Sequence, residues 1–278
     1  MIRRWCIPLT TVALAVGSLM AVAGTASAAT VSHPGTTHVR PGGAVHAFQP
    51  GGVMQRPSGA LAHATTHGVK NASTTSTNWS GYAVTGASSH FTSVSASWTE
   101  PTAHCSGSST KYAAFWVGLD GYNSSSVEQT GSDSDCDGSS PDYYGWYEMY
   151  PANPVYFTNA VSAGDHFTAS VTFSGTRTYT LVLKDTTKGW TKTITKNQSG
   201  LARSSAEVIT EAPSSSSGVL PLANFGTINY TGSSANGSSM SGQSPTSITM
   251  INSSGADKDS TSSLSSSGAF SNTWIRSS

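Results

Sequence analysis

Short runs of alternating apolar and polar side chains recur along most of the chain. They span residues 91–98, 112–119, 166–173, 179–184, 190–194, 225–230 and 247–251 and are separated by clusters of Ser, Gly, Asn and Pro. In one of them Phe167, Ala169, Val171 and Phe173 fall on one side, and Thr168, Ser170 and Thr172 on the other. A period of two marks a strand with one buried face. No stretch offers a convincing helical period. Many short strands with frequent turns predict an all-β domain, a sandwich or a barrel. Residues 78–278 suit a single domain of this kind.

The beginning of the chain follows another pattern. Arg3 and Arg4 precede a mostly apolar run from Pro8 to Ala23, and Ala26-Ser27-Ala28 follows. Residues 1–28 therefore read as a secretory signal peptide, which makes the protein extracellular and leaves no membrane segment once it is removed. Residues 29–77 are rich in Gly, Pro, Ala, Thr and His and show no apolar periodicity. Alone, such a stretch cannot offset its ordering entropy and is expected to be disordered, as a propeptide or as a spacer.

Charge sharpens the division. The whole chain is neutral, with 14 basic and 14 acidic residues, but the first acid is Glu100. Residues 78–278 thus carry −5 and residues 1–77 carry +5, with five of the eight histidines in the early part. The balance does not suit a nucleic-acid binder. It suits a basic segment held by charge on an acidic domain and released in acid.

Cys105 and Cys136 form an even pair in an oxidising compartment once Cys6 leaves with the signal, so a disulfide between them is expected. Two cysteines with no paired His nearby do not complete a zinc shell, and no metal or organic cofactor is implied. There is no G-x-S-x-G, H-E-x-x-H or Gly-rich phosphate loop. Aromatic residues and carboxylates instead concentrate in residues 111–151. There Trp146, Glu148 and Tyr150 share one strand face, and Tyr147 and Met149 the other. In Ser205–Glu211, Glu207, Ile209 and Glu211 share a face opposite Val208 and Thr210. Two carboxylates at that spacing stand about 13 Å apart, too far to work as a pair, so one of them needs another partner.

Five collinear segments now resemble the eqolisin-type glutamic peptidases. They are Asn78-Trp79-Ser80-Gly81-Tyr82, Trp116-Val117-Gly118-Leu119-Asp120-Gly121, Glu128-Gln129-Thr130-Gly131, Trp146-Tyr147-Glu148-Met149-Tyr150-Pro151 and Ser205-Ala206-Glu207-Val208-Ile209-Thr210-Glu211-Ala212-Pro213. The resemblance covers about residues 78–275. It implies a concanavalin-like antiparallel β-sandwich of jelly-roll type, secreted, acting in acid as a monomer on protein and peptide substrates. It assigns the catalytic pair to Gln129 and Glu207, with Glu211 as the fallback. A groove lined by Trp79, Trp116, Asp120, Asp133, Trp146 and Glu148 is carried over with them. Val208 stands where the family usually has Trp. Because it faces away from Glu207, it should alter packing more than catalysis. The competing assignment is a carbohydrate-binding or glycan-hydrolysing sandwich, with Glu148 and Glu207 as its acid pair.

Overall fold

A computed structural model describes residues 52–57 and 72–278, together with the backbone of the strand pair His38–Val39 and Val45–His46. The signal-like residues 1–28 and most of 29–77 lie outside the described residues. Fifteen strands carry the fold. They are β1 (Ala72–Ser76), β2 (Trp79–Thr85), β3 (Ser93–Thr99), β4 (Ala114–Leu119), β5 (Val127–Asp137), β6 (Ser140–Tyr150), β7 (Val155–Tyr156), β8 (His166–Ser174), β9 (Thr178–Asp185), β10 (Trp190–Asn197), β11 (Ser205–Glu211), β12 (Thr227–Ala235), β13 (Thr246–Met250), β14 (Asp259–Thr261) and β15 (Phe270–Trp274). A 3-10 turn at Met240–Gly242 is the helical element among the described residues.

The strands form two sheets. One runs β1-β13-β2-β11-β4-β5-β6-β7, the other β10-β9-β8-β3-β12-β15-β14 with the short strand Ser238–Ser239 beside β12. Apart from the parallel pair β1–β13, the pairings are antiparallel. The all-β sandwich expected from the alternation is what the chain adopts. In β8, Phe167, Ala169 and Val171 are buried while Thr168 and Thr172 face outwards.

The apolar faces meet between the sheets. Phe115, Val117, Leu119 and Val208 from the first pack in one core with Phe167, Val171, Tyr179, Leu181 and Leu183 from the second. Each such side chain stabilises the fold by about 1.5–3 kcal/mol when it leaves water. Aromatic pairs join in, Phe115 meeting Phe225 edge-on at 5.5 Å and Tyr230 stacking on Phe270 at 4.8 Å. Acids are enclosed there as well. Glu100 accepts hydrogen bonds from Ser132 and from Ser134 Oγ (2.6 Å), and Asp259 accepts from Ser80.

Three features position the site. The hairpin β5–β6 turns at Gly138 and Ser139, where Gly138 takes φ 61°. A two-residue hairpin loop of this kind needs a left-handed residue, and Gly adopts it without a Cβ clash. The disulfide Cys105–Cys136 closes a loop with a sequence separation of 31, holding the far end of β5. Loop closure of that length contributes about 3–4 kcal/mol. The sheet also begins earlier than the sequence suggests. β1 lies before residue 78, yet it pairs along its whole length with β13 and buries Thr74 and Ser76. Its Ser and Thr side chains carry no apolar alternation, so backbone pairing holds it rather than a pattern visible in composition.

At the margin of the second sheet, β10 alternates half-buried and exposed positions and projects Lys192 and Lys196. Their ammonium groups sit 5.7 Å and 5.1 Å from the ring centres of Phe157 and Tyr147.

Candidate functional site

Register places the candidate side chains. Glu207 on β11 stands opposite Gly118 on β4, Gly118 opposite Gln129 on β5, and Gln129 opposite Glu148 on β6. Directly paired residues point to the same side, so Glu207, Gln129 and Glu148 form one row on the sheet face away from the sandwich core. The backbones of Glu207 and Gln129 are two strand spacings apart, about 10 Å. Between them Gly118 contributes no side chain. A Cβ there would lie 2.8 Å from the Trp116 ring, 3.1 Å from Val127 and 3.2 Å from Gln129 Cβ. The glycine therefore lets the Trp116 ring, Val127 and Gln129 approach the strand closely between the two polar side chains. Glycine inside a strand often marks such a close approach.

The next rows build the walls. Ile209, Trp116, Gly131 and Trp146 form one, and Trp79, Glu211, Ala114, Asp133 and Tyr144 another. Trp79 meets Trp116 edge-on with centroids 4.9 Å apart. Trp116 Nε1 donates to Glu211 Oε2 (2.9 Å), and Asn78 Nδ2 donates to Glu211 Oε1 (3.2 Å). Asp133 accepts from Trp146 Nε1 (2.5 Å) and Tyr144 Oη (2.8 Å), so it aims those rings. Asp120 accepts from the backbone N–H groups of Arg203 (2.6 Å) and Ser204 (2.9 Å), tying down the loop that enters β11. Asp120 and Asp133, assigned to the groove lining, are thus engaged by the protein itself and act on the site by positioning its parts.

Polar satisfaction separates the two glutamates of β11. Glu211 has its indole and amide donors, whereas both oxygens of Glu207 lack a hydrogen-bond partner. Ser205 is close enough to ease ionisation of Glu207 without closing a bond. Gln129 Nε2 donates to Glu148 Oε2 (2.7 Å), leaving Gln129 Oε1 and Glu148 Oε1 without partners. Unpartnered buried oxygens are costly, and their concentration in one row marks a place built for something to be bound.

Burial also sets the protonation. Desolvation holds the Glu207 carboxyl well above the usual range, with Asp120 and Glu128 adding repulsion. Glu148 is raised well above that range by desolvation first and by Glu211 next, against the opposing bond from Gln129. Glu128, beside Gln129 in sequence, points the other way. It pairs with Leu119 and Met149 toward the core, and burial pushes it up to about 9. Val208 also faces the core, paired with Val117 and Tyr82.

Residues 52–57 border this face. Met54 is buried in a cluster with Trp79, Trp116 and Tyr122, and Gly52 passes Glu211 and Tyr150. Sequence reasoning missed this segment, because one Met among Gly, Gln, Arg and Pro has no periodicity to display. It also missed Asn78 as a bracket and Gly118 as a spacer. The glycine inside the run 114–119 was the signal for the latter.

Residues 77–274 match the profile of the peptidase A4 family. Over 128 residues the chain is 30% identical to Aspergillopepsin-2 of Aspergillus niger, an alignment covering 44% of this chain and 45% of that protein. The chain therefore spans about half the length of the curated relative it matches. Its fold is similar to that of scytalido-glutamic peptidase with a transition state analog inhibitor, with TM-score 0.61 and 28% identity over 72% of this chain and 98% of the other. It is likewise similar to aspergilloglutamic peptidase from Aspergillus niger, with TM-score 0.53 and 25% identity over 59% and 99%.

Proposed function

Because the chain belongs to the peptidase A4 (eqolisin) family, we propose that it is a secreted glutamic endopeptidase that cleaves polypeptides in acid through Glu207 and Gln129. The supporting observation is the single row Glu207–Gly118–Gln129–Glu148, with unpartnered oxygens on either side of a glycine gap.

Amide hydrolysis needs an activated water, a partner for the oxyanion and a proton for the leaving nitrogen. Ionised Glu207 takes a proton from water as the water oxygen bonds to the carbonyl carbon. The electron pair displaced onto the carbonyl oxygen is met by the Gln129 side-chain amide. Its other N–H is held by Glu148, which fixes its direction. A preorganised donor of this kind is worth about 3–4 kcal/mol in the transition state. As the C–N bond breaks, Glu207 returns the proton to the departing amine. While the face is covered Glu207 keeps its proton. Access of solvent lowers the desolvation cost and lets it ionise in the acid range where a carboxylate suits the work. Histidine would be protonated there and could not serve as base.

Gln129 stands between Glu148 and Glu207 and engages Glu148, which disfavours the glycosidase alternative. A retaining glycosidase needs its two carboxyls about 5–5.5 Å apart with nothing between. Residues 1–28 as a secretion signal and the remainder of 29–77 as a removable pro-segment complete the proposal, with a monomer as the working form. A peptide-library digest between pH 2 and 7, with wild type and Glu207→Gln run against a glycan panel, tests it. Cleavage of peptides by wild type alone is expected. Turnover of glycans, or undiminished peptide cleavage by the variant, would end it.

A further inference from the structure

Charge is unevenly shared within the domain. Residues 177–203 hold six bases, Arg177, Lys184, Lys188, Lys192, Lys196 and Arg203, and one acid, Asp185. The rest of residues 78–278 hold three bases and thirteen acids. A stretch of +5 thus sits on a body of −10. Its one acid is engaged by the fold, because Asp185 Oδ1 accepts from the backbone N–H groups of Thr187 and Lys188 (2.9 Å each). Lys188 pairs with Asp165 (3.2 Å). Lys192 and Lys196 meet the rings of Phe157 and Tyr147 rather than carboxylates.

Those two lysines stand on an open strand. β10 pairs along its eight residues with β9 and, among the described residues, ends the second sheet. An end strand presents a row of N–H donors and C=O acceptors to whatever lies beside it. One side of β10 shows Lys192, Ile194 and Lys196, half-buried, and the other shows Thr191, Thr193 and Thr195, exposed. At strand rise Lys192 and Lys196 are about 13 Å apart, with Ile194 midway. The place is near the candidate site without being part of it. Tyr147, beneath Lys196, precedes Glu148 in β6, and the two side chains point to opposite faces of the first sheet.

We propose that the open edge of β10 is a second docking site for polypeptide substrates, outside the groove, and that it selects extended segments with two acids four residues apart around an apolar residue. A strand added beside β10 sets its side chains opposite those of β10 with the same period. Acids at i and i+4 then meet Lys192 and Lys196, and the residue at i+2 meets Ile194. Main-chain bonds hold the added strand, and the lysines supply selectivity. A polypeptide fits better than a phosphate polymer, because the edge offers acceptors as well as donors and a phosphodiester has no N–H to give. The word substrate rests on the peptidase reading. The docking rests on the open edge and the division of charge.

The test titrates full-length Glu207→Gln, which spares the probe, with dye-labelled peptides at about pH 5.5, where carboxylates and lysines are both charged. TETVTET should raise the anisotropy of the label. TQTVTQT, or TEPPTET with its prolines blocking strand pairing, should need about tenfold higher concentration. Adding Lys192→Gln and Lys196→Gln should weaken TETVTET binding by about the same tenfold, and Lys192→Arg with Lys196→Arg should retain it. In the active protein, a neutral cleavable peptide is joined by a Gly-Ser linker to TETVTET or to TQTVTQT. The acidic tag should lower KM about fivefold with kcat unchanged. The double Gln variant should erase that difference and still cleave the untagged peptide at the wild-type rate. Binding of TETVTET without cleavage of any peptide would sink the peptidase reading and leave the docking. Cleavage with equal KM for both tags, equal binding of the three peptides, or tighter binding of polyphosphate than of TETVTET would overturn the inference and leave the peptidase.

Discussion

The two faces of the first sheet are made by the same strands and are both enclosed, yet they hold their acids for opposite ends. In β11 every residue is buried. Ala206 and Val208 enter the core between the sheets, while Glu207, Ile209 and Glu211 face the covered groove. Glu128 and Gln129 divide in the same way across one peptide bond. Inside the sandwich Glu100, Glu128 and Asp259 are sealed by the fold itself. On the outer face Glu148 and Glu207 are also buried, and Met54 joins the apolar cluster of Trp79 and Trp116 beside them. An acid of the first kind regains water only when the sheets separate. The general-base role proposed for Glu207 requires that it regain water while the sheets stay together.

Substitutions on the groove face should therefore damage turnover and spare the fold. The largest effect belongs to Glu207→Gln, which keeps the shape and removes the proposed base. Loss of activity by about 10²–10⁴-fold or more is expected in a peptide-cleavage assay, with an unchanged unfolding midpoint. Gln129→Ala should lower kcat by about a hundredfold or more, through loss of the oxyanion donor. A comparable loss in Glu211→Gln with Glu207→Gln still active would move the base one pleat along the strand. Gly118→Ala comes next. Its Cβ would crowd Trp116 at 2.8 Å and fill the gap beside Gln129, so kcat should fall about tenfold while far-ultraviolet dichroism stays the same.

The inner face gives the smallest effect and the sharpest contrast. Burial raises Glu100 and Asp259 to about 7 and Glu128 to about 9. Each folded-state value lies above that of the unfolded chain, so the stability linked to these groups is complete below about pH 4. It is lost as pH climbs through 7 and then 9. Lys258, lowered to about 8, acts in the opposite sense, its contribution fading as pH falls through that value. Thermal melts should show a protein most stable in acid that weakens steadily as pH rises from about 4 to about 9. Glu128→Gln should soften the decline between pH 7 and 9 and leave peptide cleavage nearly unaltered. If Glu128→Gln abolished cleavage while Gln129→Ala did not, the assignment of faces would be reversed.

Much of the architecture could be read from alternation. Phe167, Ala169 and Val171 announced an inward face, and the face shared by Trp146 and Glu148 followed from counting by twos. The family was legible as residue types in order, because its five motifs are short and lie largely within strands. The pairing of Glu207 with Gln129 across Gly118 was not, since register between distant strands is set by the whole sheet. The hydrogen bonds by which Asp133 holds Trp146 and Tyr144, and Asp120 holds the N–H groups of Arg203 and Ser204, were not legible either, because they join separate segments of chain. β1 and the Met54 segment stayed hidden for a common reason. Backbone bonds hold them, and backbone bonds leave no mark on composition.

The exposed border of β10 has a consequence for how copies of this protein meet. An open strand border invites another chain to pair with it, and lysines are a common deterrent. Lys192 and Lys196 sit on the half-buried side of this strand, over the rings of Phe157 and Tyr147. Two such borders brought together would set like charges side by side, which disfavours stacking of copies into fibres.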